Sequence, residues 1–154
     1  MAIATQQTEL YVYDTTDAGV VTKIGCPTSI SGAGSTTEQV ETTCLEATSR
    51  SYIPGLATPG EVSFDVFFDT SDTSHMLLET LRKNRTTTEW AIGFSDGSSA
   101  PTGGGGSPLT FTGRSSIAFT GFVTSVQFSF EGNSAVSASI GIQVSGDVSV
   151  SAAA

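Results

Sequence analysis

The chain has 154 residues and a formal charge of −9, from 15 acids against 6 Lys and Arg and a single His; that length suits one domain with its own core. Six cations are too few to grip nucleic acid through its phosphates, and no apolar run approaches the ~18 residues of a membrane span. One His and two Cys leave little for metal or nucleophilic chemistry, and 45 small hydroxyls (22 Ser, 23 Thr) single out no nucleophile, so composition argues against an enzyme.

Along the chain, Met1 to Thr8 has neither the cationic nor the apolar region of a signal peptide, and synthesis in the cytoplasm is expected. Weak strand signals follow at Glu9–Tyr13, Val20–Gly25 and Thr36–Leu45. The stretch Ala47 to Gly60 contains Pro54-Gly55 and Pro59-Gly60, shows no alternation and reads as a long loop. Such a loop inside a β-domain is usually functional or disordered. Val62, Phe64, Val66 and Phe68 then alternate with Glu61, Ser63, Asp65 and Asp69, the pattern of a half-buried strand.

One segment changes period. Asp69-Thr70-Ser71-Asp72-Thr73 offers N-cap oxygens and an acid for the first turn, and Met76, Leu77, Leu78 and Leu81 follow at helical spacing. Arg82, Lys83 and Arg85 stand at the negative end of the dipole, so a helix is expected over about residues 73–84. That basic cluster either compensates the helix terminus or meets an acidic neighbouring subunit. Trp90, Ile92 and Phe94 return to strand alternation. Residues 97–114 read as a flexible glycine-rich loop around Gly103–Gly106, which no phosphate-loop Lys follows.

Phe122, Val126, Phe128 and Phe130 share one parity, and Val123, Ser125, Gln127 and Ser129 the other. Val136, Ala138, Ile140, Ile142 and Val144 alternate with Ser137, Ser139, Gly141, Gln143 and Ser145. Glu131-Gly132-Asn133-Ser134 is a turn that makes these two strands an antiparallel hairpin. The whole, residues 1–154, reads as a single domain, mainly antiparallel β with one helix. His75 lacks companions for a metal site or an activated nucleophile and reads as a surface or packing residue. Cys26 and Cys44 are read as reduced thiols, and no cofactor or metal is expected.

Val62-Ser63-Phe64-Asp65-Val66-Phe67-Phe68-Asp69, the helix with His75 and Leu78, and Trp90-Ala91-Ile92-Gly93-Phe94-Ser95-Asp96-Gly97 together resemble the tail tube (major tail) proteins of long, non-contractile-tailed bacteriophages. Phe119-Thr120-Gly121-Phe122-Val123-Thr124-Ser125 and Gly141-Ile142-Gln143-Val144-Ser145-Gly146 look like that family's closing hairpin. The resemblance covers about residues 36–149.

The resemblance implies an antiparallel β-sandwich or partial barrel with a flanking helix. It implies a structural subunit that self-assembles into stacked homohexameric rings and gives strands to a continuous inner barrel. The location is the tail of the virion, assembled in the host cytoplasm. The partners implied are the chain itself and the tape measure, tail tip and tail terminator proteins; DNA passes without specific binding, and no membrane is involved. Residues 46–60 map to a loop between rings, with Tyr52, Ile53, Pro54, Leu56 and Pro59 as its apolar contacts. Phe128, Phe130, Ile140 and Ile142 are expected to face the subunit core. Ser125, Gln127, Ser129, Ser137, Ser139 and Gln143 are expected to face the lumen or outer solvent as part of an acidic conduit. Two alternatives stay open: a secreted pilin- or adhesin-like β-sandwich, and the tube subunit of a contractile secretion system.

Overall fold

A computed structural model describes residues 2–15 and 20–153. In chain order its elements are β1 (Glu9–Asp14), β2 (Val20–Lys23), β3 (Pro27–Ser31), β4 (Ser35–Glu41), β5 (Tyr52–Pro59), β6 (Glu61–Phe67), α1 (Thr73–Asn84), β7 (Thr87–Gly93), β8 (Ser116–Ser129), β9 (Ser137–Val144) and β10 (Ser149–Ser151). Eight strands form one antiparallel sheet in the order β2-β1-β7-β8-β9-β6-β3, with β10 added to β8. The sheet curls over on itself without closing, because β2 and β3 end the order unpaired with one another. β4 and β5 pair only with each other, as a two-stranded arm.

The long strand β8 turns the corner between the two layers. Its first half, Ser116 to Phe122, pairs with β7, and its second, Gly121 to Ser129, pairs with β9. At the corner the Trp90 indole N–H, wholly buried, donates to the Gly121 carbonyl at 3.1 Å. A Cβ on Gly121 would stand 2.5 Å from the backbone oxygen of Gln143, so only glycine lets the strands approach there. Leu10, Val12, Trp90, Ile92 and Phe119 of one layer meet Val62, Phe64, Val66, Val123, Ile140, Ile142 and Val144 of the other.

α1 spans the expected residues. Asp72 is its N-cap, accepting from the Ser74 N–H at 2.9 Å, while the first turn itself holds no acid. Leu77, Leu78 and Leu81 are buried, whereas Met76 turns outward. His75 is a packing residue: its Nδ1 accepts from the Asp69 N–H at 3.0 Å and its Nε2–H donates to the Gly25 carbonyl at 2.7 Å, which selects the neutral Nε2–H tautomer.

Segment 97–114 is tied to the body at its far end. The Arg114 side chain is fully enclosed and directs its donors at the carbonyls of Phe94, Gly93, Ser99 and Gln7 and at the Glu9 carboxylate. Gly103 to Gly106 all have positive φ, from +67° to +112°, which L side chains seldom adopt.

Three sequence expectations need correction. Residues 52–59 are strand β5 rather than irregular loop; its prolines are tolerated because a two-stranded ribbon leaves each strand an outer edge where no N–H is needed. The parity of β8 is broken by a bulge between Val123 and Ser125. Val123 therefore pairs with Ile142 and is buried, while Phe122 pairs with Gln143 on the outer face. Phe128 and Phe130 are not core residues: Phe128 is 44% and Phe130 76% exposed. Phe128 lies opposite buried Ala138 but on the outermost strand of its layer, where its side chain stays partly open, and Phe68 packs edge-on against it. Ile140 and Ile142 are buried as expected.

Candidate assembly surfaces

The second layer, β3-β6-β9-β8, presents a polar face away from the core. Register puts Gln127 beside Ser139 and Ser139 beside Asp65, Ser129 beside Ser137 and Ser137 beside Phe67, and Gln143 beside Glu61. The six polar positions read from sequence on β8 and β9 thus share one face. Glu61 and Asp65 of β6 join them, anchored by Thr124 Oγ1 at 3.3 Å and Ser29 Oγ at 3.1 Å respectively. No Lys or Arg lies on these strands. Phe67, half exposed, is an apolar residue on that face.

Among the described residues this layer also has two free edges. β3 pairs only with β6. β8 from Val123 onward pairs only with β9. Free edges are templates for association. Neither was legible in the sequence, because β3 (Pro-Thr-Ser-Ile-Ser) carries one apolar residue and little strand propensity.

The arm is the third surface. Every residue of β4 and six of the eight in β5 are exposed. Val40, Tyr52 and Ile53 are half exposed, Leu56 and Leu45 more so, Pro54 is exposed and Pro59 intermediate. An isolated hairpin is marginal in water, so this ribbon has much apolar surface left to cover.

The basic cluster is the fourth. Arg82 grips Glu79 through two hydrogen bonds, and this partner holds the Glu79 carboxyl below its ordinary range. Lys83 and Arg85 make no ion pair among the described residues. Arg85 takes the left-handed conformation (φ 54°) that ends the helix, and its N–H returns to the Arg82 and Leu81 carbonyls. Cys26 and Cys44 are both free and exposed. Among the described residues no group of three or more His, Cys, Asp or Glu could hold a metal, and no helix is long and apolar enough to cross a membrane.

The family model described as phage tail tube, TTP, lambda-like, matches residues 1–154. The chain belongs to the lambda-like phage tail tube family. This tail tube protein is 42% identical over 154 residues to "Structural protein 3" of Pseudomonas phage PAJU2, covering 94% of this chain and 91% of that one. Its fold matches the SPP1 tail tube at a TM-score of 0.71 with 13% identity, over 99% of this chain and 81% of that one. A chain from the C6-symmetric tail of a gene transfer agent particle matches at 0.67 with 16% identity, over 94% and 96%. A chain of the sheath-tube complex of an extracellular contractile injection system matches at 0.70 with 15% identity, over 98% and 92%. The tail tube protein is thus a structural component of a phage virion's tail, and the pilin-like alternative falls away.

Proposed function

We propose that this chain builds the tail tube as stacked homohexameric rings, each closed by pairing the free edge of β3 in one copy with the free edge of β8 in the next. The carrying observation is the four-stranded layer with one unpaired edge on each side. Its strands alternate in direction, and four is an even number, so β3 of one copy meets β8 of the next antiparallel. Closure removes the edges that would otherwise drive irregular association. The contact is heterologous, and a rotation that returns to its start gives a ring. The C6 symmetry of the similar gene transfer agent tail supports six copies.

Six copies of four strands make 24. At ~4.8 Å spacing and a tilt of ~40° they close at a backbone diameter of roughly 50 Å. That leaves room for a DNA duplex inside the side chains. The polar face turns inward, so passing DNA meets hydroxyls, amides and the carboxylates of Glu61 and Asp65, and no cation. Like charge keeps phosphates from adhering, while screening over a Debye length of about 8 Å keeps the repulsion short-ranged. The apolar arm reaches the adjacent ring and is covered there. Tape measure, tail tip and terminator proteins are the further partners of such a tube. The fold is shared with contractile-system tubes, but the lambda-like family and the phage relative favour the non-contractile tail.

Negative-stain microscopy of the purified chain, fresh and after several days at high concentration, tests the reading. Hollow tubes or six-fold rings are expected. A chain that stays monomeric, even when seeded with tail-tip complexes, overturns it.

A further inference from the structure

The cations are unevenly spent. Of six, three fall within residues 82–85. Lys23 and Arg114 both go to Glu9, and Arg82 to Glu79. Lys83 and Arg85 are exposed without an ion pair among the described residues. Compensation of the helix dipole fades beyond the last turn, and Arg85 already lies past it. Arg82 and Arg85 line a groove with Thr87, Phe122, Val123 and Thr124, where the free edge of β8 begins.

Register places this groove relative to the arm. Phe122 pairs with Gln143, and Gln143 with Glu61. One residue before Glu61, the Gly60 N–H donates to the Gly34 carbonyl at 3.0 Å and closes the root of the arm. The arm and the groove therefore stand at the same end of the four-stranded layer, the arm on its β3–β6 side and the groove on its β8 side. In a ring closed by β3 against β8, β3 runs antiparallel to β8 and so toward the neighbour's groove, and the chain continues as β4. β4 carries Glu38 and Glu41, both exposed and without ion pairs among the described residues. Glu38 lies four residues past Gly34, about 13 Å along an extended strand.

We infer that the acidic strand β4 of one copy docks on the Arg82–Arg85 groove of the neighbouring copy, making this end of α1 a recognition surface for a second copy of the chain. The inference rests on the ring-closing reading above. It gives the cluster a positive role in an assembly of chains that otherwise repel at −9 each.

Charge reversal tests it. Four proteins are compared by counting tubes in micrographs: wild type, E38K/E41K, K83E/R85E, and the quadruple variant, which keeps the wild-type net charge. Thermal unfolding of the unassembled chains confirms that each is folded. Each double variant is expected to form at least tenfold fewer tubes than wild type. The quadruple variant is expected to recover them, as is an equimolar mixture of the two doubles, whose arms and grooves match when copies alternate around a six-membered ring. Doubles that assemble like wild type overturn the inference, as do folded doubles that neither the mixture nor the quadruple variant rescues. Wild-type chains that never assemble count against the tube reading itself, and the inference falls with it.

Discussion

Arg114 shows how much of this fold hangs on single side chains that sequence patterning does not reveal. Its guanidinium is buried against four carbonyls and the Glu9 carboxylate. Arg114→Met would leave those acceptors unpaired and is expected to cost about 3–5 kcal/mol, the usual penalty for removing one side of a buried pair; urea unfolding of the unassembled chain reads it. Trp90→Phe loses the bond to Gly121 at the β8 corner and is expected to cost about 1–3 kcal/mol in the same assay. Burial alone would raise the Glu9 carboxyl, but Tyr11, Arg114 and Lys23 outweigh it and hold it below its ordinary value. The Ser74 hydroxyl does the same for Asp72, and Arg82 for Glu79. A carboxyl held low in the fold contributes stability above its unfolded pKa and loses it as pH falls through the folded one. The melting temperature of the unassembled chain is therefore expected to hold from neutral pH down to roughly pH 5 and to fall below it. The core was legible because burial on one face of a strand writes period 2 into Val62, Phe64, Val66, Ile140 and Ile142. Arg114 was not, because a lone arginine after a glycine carries no pattern.

At the scale of elements, α1 was readable from its cap and closing cations, which act on the helix ends, and from leucines whose helical spacing marks the face turned to the core. β5 was not. Its apolar side chains join no core layer of the chain, so burial selects no alternation, and Pro54 and Pro59 speak against a strand unless the edge is free. The bulge in β8 was likewise hidden, since one extra residue, Thr124, reverses the parity without altering composition. The arm is an element set apart, and Gly34 and Gly60 already meet at its root. Replacing residues 36–58 by a short turn is expected to shift unfolding stability by no more than about 1 kcal/mol, as for changes away from the core. The same protein is expected to form no tubes. A shortened chain that still gives tubes of normal length would remove the arm from the contact between rings.

For the whole molecule, a net charge of −9 and a four-stranded layer with two free edges describe a part rather than a finished object. Sequence alone carried the fold class, and through the family resemblance it carried the role; the free edges proposed to join one copy to the next emerged only from strand order. They depend on which strands end up outermost, a global property that no local run of residues encodes. The polar face was visible as an alternation of Ser and Gln, yet its acids, Glu61 and Asp65, became members only through register. The most direct test of the central claim is a helical cryo-EM reconstruction of tubes grown from this chain. Backbone pairing between β3 of one copy and β8 of its neighbour, running antiparallel, is expected, with Glu61 and Asp65 on the inner wall. Tubes in which those two edges face solvent, or in which Glu61 and Asp65 line the outer surface, would contradict it.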